Sequence, residues 1–69
     1  MQRILTPREL EIAQLVLRGK TNRAIAGALY VSQRTVENHL YSIFSKLGIR
    51  TRTELAFLMY RDLGLPAAV

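Results

Sequence analysis

The sequence has no cysteine and no tryptophan, one histidine, two prolines and only five acidic residues in 69. Without cysteine there is no disulfide frame and no thiolate metal site, and the chain suits a reducing cytoplasm. His39 has no carboxylate at ligand spacing, so no metal and no cofactor is expected. No apolar run approaches the ~20 residues that cross a bilayer, and no secretory signal is visible, so no membrane partner is expected. Paired carboxylates, an activated nucleophile and a phosphate-binding loop are missing as well, which argues against an enzyme.

What is present is apolar and basic. Apolar residues make up 49% of the chain, enough for a core and too many for a disordered segment. The length fits one small domain over residues 1–69, of the size that buries only ~60% of its unfolded surface. The scarcity of acids leaves a net charge of +5, which favours an anionic partner. The distribution is more informative than the total. Between Arg18 and Arg52 stand seven basic residues and a single acid, Glu37. Glu9, Glu11, Glu54 and Asp62 lie at the two ends. A positive surface segregated in this way is what phosphate binding requires.

The pattern predicts four helices, at about 7–18, 22–29, 33–47 and 52–62, with short loops and no strand: an all-α, four-helix bundle-like domain. Met1–Leu5 reads as a frayed lead-in. Thr6, Pro7 and Glu9 open the first helix with a Thr-x-x-Glu capping box and a proline at its first position. Leu10, Ala13 and Leu17 form its apolar stripe, with Ile12 and Val16 beside them, and Gly19 ends it. Thr21 caps the second helix, whose Ile25, Ala28 and Leu29 are expected to face inward, with Ala26 nearby. Gly27 within it allows a close approach or is simply a tolerated glycine. Tyr30 and Val31 make a tight turn and Ser32 caps the third helix, which Gly48 stops. Thr51 and Glu54 form a second capping box. Gly64 and Pro66 close the structured region and Pro66–Val69 forms a loose tail.

The stretch Val31–Gly48 has two faces. Val36, Leu40, Ile43, Phe44 and Leu47 fall on one stripe, while Arg34, Glu37, Asn38, Tyr41 and Ser45 fall on another. Two short helices joined by a tight turn, the second longer and two-faced, make a helix-turn-helix. One face anchors the helix and the other is free for a partner, read here as DNA.

Four fragments, LTPRE at Leu5–Glu9, GKTNRAIA at Gly19–Ala26, VSQRTVENHL at Val31–Leu40 and KLGIRTRTE at Lys46–Glu54, together resemble the LuxR/NarL/GerE-type DNA-binding domain. The resemblance runs without gaps from about Leu5 to Tyr60. It implies a bacterial, cytoplasmic transcription regulator's output domain, normally preceded by a sensor or receiver domain. It implies a third helix in the major groove of double-stranded DNA and a fourth helix that often mediates dimerisation. RNA polymerase is a further expected partner.

The base-facing candidates are Arg34, Glu37, Asn38 and Tyr41. Arg34 suits guanine or a phosphate, Asn38 suits adenine, and Tyr41 a thymine methyl or a phosphate. Glu37 departs from the family, which commonly has Lys or another non-acidic residue there. It either accepts a hydrogen bond from cytosine N4 or pairs with Arg34 three residues earlier, and the ion pair is preferred. The phosphate-facing candidates are Thr21, Asn22 and Arg23 at one helix start, then Thr35, Ser42, Lys46 and Arg50. For Thr35 this role is carried over from the resemblance. Capping alone also accounts for Thr21, and ordinary solvated charge for Lys46 and Arg50. His39 is a boundary residue. Glu9 and Glu54 favour their helix dipoles and are candidates to pair with an arginine such as Arg52.

Leu55, Leu58 and Met59 can face the core. Ala56, Phe57 and Tyr60 then leave the fourth helix too apolar for a free surface; either the core wraps further or a second copy docks, and a homodimer contact is preferred. Two alternatives remain. A sigma-factor-like promoter-reading module is disfavoured by the TRTE helix after the third, and a protein-interaction module without DNA binding is supported by Glu37 alone.

Overall fold

The computed structural model describes residues 4–63, and all but the first three of these lie in or between four helices: α1 Pro7–Leu17, α2 Asn22–Leu29, α3 Gln33–Leu47 and α4 Arg52–Leu63. Among the described residues there is no strand. The expected closing signals at Gly64 and Pro66 and the tail Pro66–Val69 lie outside the described residues, as do Met1–Arg3 of the expected lead-in.

Each helix starts where a side chain can accept a backbone N–H. Thr6 accepts from Glu9 N at 3.1 Å and Glu9 Oε1 accepts from Thr6 N at 2.9 Å, the complete capping box. Thr21 accepts from Ala24 N and Ser32 from Thr35 N. At α4 the box is displaced: Glu54 N donates to Thr51 Oγ1, but Glu54 Oε1 accepts from Arg50 N rather than Thr51 N. Helices α1, α2 and α3 end as left-handed turns. Gly19 and Gly48 take φ of +81° and +68°, and Lys20 N→Leu15 O and Ile49 N→Phe44 O close the last turns. The α2 end uses a non-glycine residue, Tyr30, at φ +58°.

Ile12, Ala13 and Val16 of α1, Ile25 and Ala26 of α2, Val36, Leu40 and Ile43 of α3, and Leu55 and Met59 of α4 form one core. Helix α1 is its hub: it packs on both α3 and α4, while α2 packs on α3. Three expectations are corrected by this packing. Leu5 is not part of a frayed lead-in but a buried core residue, held next to the cap in the position from which a hydrophobic staple acts. In α1 the buried stripe is Glu9, Ile12, Ala13 and Val16, with Leu10 and Leu17 only half-buried at its margin. In α2, Ala26 is buried and Ala28 exposed. The inner line of α2 is Asn22, Ile25, Ala26 and Leu29, the i, i+3, i+4, i+7 series, and Ala28 falls off it. Among the described residues a Cβ on Gly27 would meet nothing within 4 Å, so none of the four helices approaches closely there.

In α4, Leu55 and Met59 are fully buried, whereas Leu58, Ala56 and Tyr60 are half-buried and Phe57 is 60% exposed. The core thus wraps far enough to take in part of Tyr60, whose hydroxyl is buried without a hydrogen-bond partner among the described residues. Phe57 stays outside, with the Arg61 guanidinium 5.8 Å over its ring.

Candidate nucleic-acid interface

The outer face of α3 is built by default: Val36, Leu40 and Ile43 are drawn into the core, so the residues opposite them must face outward. Arg34, Glu37, Asn38 and Tyr41 are all exposed, and Tyr41 is 78% exposed. All four base-facing candidates therefore share one open surface. The preferred ion pair between Glu37 and Arg34 is not formed. Among the described residues the ion pairs are Arg8–Glu11 at 3.4 Å and Lys46–Glu9 at 2.6 Å, and no hydrogen bond engages Glu37. A single exposed i,i+3 pair stabilises a helix by only ~0.2–0.5 kcal/mol, so its absence costs the helix little.

At the first turn of α3, Thr35 is half-buried and its hydroxyl lies 3.0 Å from Ser32 Oγ, so cap and hydroxyl form one polar unit. Beside it the start of α2 contributes Thr21, Asn22 and Arg23. These three line a single concavity with Gly19, Lys20, Gln33 and Arg52. Helix starts carry outward-pointing N–H groups and the positive end of the dipole, and this hollow collects two of them with Lys20, Arg23 and Arg52.

Arg52 holds the hollow together. Its Nη1 donates to Asn22 Oδ1 and its Nη2 to the Lys20 carbonyl, both at 2.6 Å. It therefore pairs with neither Glu9 nor Glu54, the partners expected of it. Sequence reasoning missed Lys20, Gln33 and Arg52 as members of this site. The bonds of Arg52 reach back 30 and 32 residues along the chain, and no local spacing announces them. For Gln33 a signal existed: it opens the same helix two residues before Thr35.

Ser42 and Lys46, expected at phosphates, are turned to α1. Ser42 Oγ donates to Glu9 Oε2 at 2.9 Å and Lys46 Nζ donates to Glu9 Oε1 at 2.6 Å. The Glu9 residue is only 4% exposed. Burial alone raises its pKa, but the hydrogen bonds from Lys46, the Thr6 backbone and Ser42, with the Lys46 charge, outweigh it and bring the carboxyl down to about 2. A phosphate at Ser42 or Lys46 has to compete with a buried carboxylate. Arg50 is exposed, its backbone N–H tied to Glu54. His39 is half-buried, at the boundary position expected of it.

Among the described residues no group of three His, Cys, Asp or Glu side chains is placed to hold a metal ion, and no helix there is long and apolar enough to cross a membrane.

Comparison with known proteins agrees with this geometry. The chain is 48% identical to the transcriptional regulatory protein ComA of Bacillus subtilis (strain 168) over 61 residues, 88% of this chain and 28% of ComA. It is 47% identical to the transcriptional regulatory protein DegU of Brevibacillus brevis over 51 residues, 74% of this chain and 22% of DegU. With the spore germination protein GerE of Bacillus subtilis (strain 168) it shares 36% identity over 58 residues, 84% of this chain and 78% of GerE. The chain thus spans less than a third of ComA and of DegU. The family described as bacterial regulatory proteins, luxR family, matches residues 3–59. With its helix-turn-helix in place, the chain belongs to the luxR family of bacterial regulatory proteins, as a DNA-binding regulatory domain and not as an enzyme.

Proposed function

We propose that the chain binds double-stranded DNA sequence-specifically, with α3 in the major groove, and that it does so as a homodimer on paired half-sites. The observation that carries this reading is the exposed stripe Arg34, Glu37, Asn38 and Tyr41 on a helix fixed from behind by Val36, Leu40 and Ile43. A helix anchored on one side and polar on the other fits a groove whose edges display a distinct donor and acceptor pattern for each base pair. Arg34 and Asn38 supply the forked donors and the amide that such edges accept.

The hollow at the starts of α2 and α3 serves the backbone. Thr21, Asn22 and Arg23 set a phosphate against free helix-start N–H groups, Thr35 meets the backbone at the first turn of α3, and Arg50 meets another phosphate further along. Ser42 and Lys46 act through the fold, holding α3 on Glu9. For the dimer the support is Phe57, which at 60% exposure leaves an aromatic ring on the outer side of α4, flanked by half-buried Ala56 and Tyr60. The relatives named as transcriptional regulators favour the same reading for the longer protein to which such a domain belongs, with RNA polymerase as a further partner in the bacterial cytoplasm.

Titration of duplex DNA at increasing salt tests the proposal. Each neutralised phosphate releases counterions, so log affinity should fall linearly with log salt, at a slope of about −0.9 per phosphate contact. Arg23→Ala should make that slope shallower by about 1 and weaken all sequences alike. Affinity that stays flat from low to moderate salt would remove the phosphate assignments.

A further inference from the structure

We infer that Glu37 sets the sequence preference of this domain and that it selects cytosine. The inference rests on the major-groove reading of α3 proposed above and deepens it.

Glu37 is exposed in the middle of the outer stripe, one turn after Arg34 and one turn before Tyr41, with Asn38 beside it. Its carboxylate takes part in none of the hydrogen bonds or ion pairs of the described residues, and Arg34 does not close on it. It is also the only acid between Arg18 and Arg52. A carboxylate pressed between phosphates is repelled unless a donor meets it. In the major groove only two bases offer one: cytosine through N4 and adenine through N6. Adenine sets the acceptor N7 beside that amine, so a carboxylate aimed there faces a second centre of negative charge. Cytosine has a C–H in the neighbouring position and no such penalty. Guanine presents N7 and O6, and thymine O4 and a methyl, with no donor on either. The carboxylate therefore rewards one base and rejects three, which is specificity by repulsion as much as by attraction. The unpaired state of Glu37 matters to this argument. A Glu37 neutralised by Arg34 would discriminate weakly, whereas one without a partner among the described residues takes its donor from the DNA.

In-vitro selection from a randomised duplex library, run side by side with the wild-type chain, Glu37→Ala and Glu37→Gln, tests this. The wild type should enrich a cytosine at one position of each half-site, and replacing that C·G pair should weaken its binding about tenfold or more. Glu37→Ala should lose the preference at that position alone and bind random-sequence DNA more tightly, because a repulsive charge is gone. Glu37→Gln should move the preference from cytosine towards adenine, whose N6 and N7 suit an amide. Identical motifs from the wild type and Glu37→Ala, or a wild-type motif with no cytosine that depends on Glu37, would overturn cytosine selection while leaving groove binding intact. A wild-type chain that retains no duplex at all would overturn the groove reading and this inference together.

Discussion

Glu9 is the residue whose environment departs furthest from that of a free side chain. It lies on the apolar stripe of α1, yet it keeps its charge because Thr6 N, Ser42 Oγ and Lys46 Nζ all donate to it. Its folded pKa, about 2, is below the ordinary value of 4.5, so the folded state holds this proton less tightly than the unfolded state does. The contribution to stability is then complete above the ordinary carboxylate range and is lost as pH falls from about 4.5 towards about 2. Thermal unfolding followed stepwise through that window should show the loss, and a flat melting temperature across it would contradict the assignment. Lys46→Met removes one donor and its charge. It should destabilise the fold by about 1–2 kcal/mol, a figure discounted because Lys46 is partly exposed, and should make the acid loss smaller and end it at higher pH. The salt slope of DNA binding should change little in this variant, because Lys46 serves the fold. Half of Glu9's role was legible in the sequence, since the capping box spans four residues. The other half was not, because Lys46 lies 37 residues away and a cross-helix bond follows from packing, not from spacing.

At the scale of elements, the helix boundaries were legible almost to the residue. Caps, helix-opening proline and closing glycines act within one turn, and Thr6, Thr21, Ser32, Gly19 and Gly48 all act as their local chemistry dictates. Which face turns inward was harder to read for short or very apolar helices. In the eight residues of α2, alanines flank the stripe on both sides, and only packing against α3 and α1 decides between Ala26 and Ala28. The turn between α2 and α3 is the least favourable joint. Tyr30 adopts φ +58° with its side chain 95% exposed, so it gains little packing for a left-handed conformation that disfavours a residue with a Cβ. Tyr30→Gly should therefore raise stability by about 0.5–1 kcal/mol, after allowing for the greater freedom of glycine in the unfolded chain. Chemical denaturation at equilibrium measures it. A loss of stability would show that Tyr30 is held by interactions beyond its backbone.

For the whole molecule the arrangement of α1, α3 and α4 matters most. Phe57 is the large apolar side chain that α4 leaves outside, stacked against Arg61. Phe57→Glu should weaken binding to paired half-sites at least about tenfold while changing single half-site affinity by less than about threefold, since linking two sites multiplies affinity without new contacts to DNA. Equal losses on both probes, measured by fluorescence anisotropy, would place Phe57 outside the dimer contact. The apolar richness of α4 was visible in the sequence, but its division was not: Tyr60 is drawn partly inward and Phe57 is left out. In a pair joined through α4, as proposed above, each α3 is placed relative to the joint chiefly by α1, on which both α3 and α4 rest, with the Arg52 bonds to Asn22 and Lys20 as a second tie. Helix α1 then behaves as a ruler. The number of base pairs between two half-sites becomes a property of buried side chains such as Ile12, Ala13 and Val16, which touch no DNA. Evolution of operator spacing and evolution of operator sequence can thus proceed on separate residues, the first inside the fold and the second on its surface.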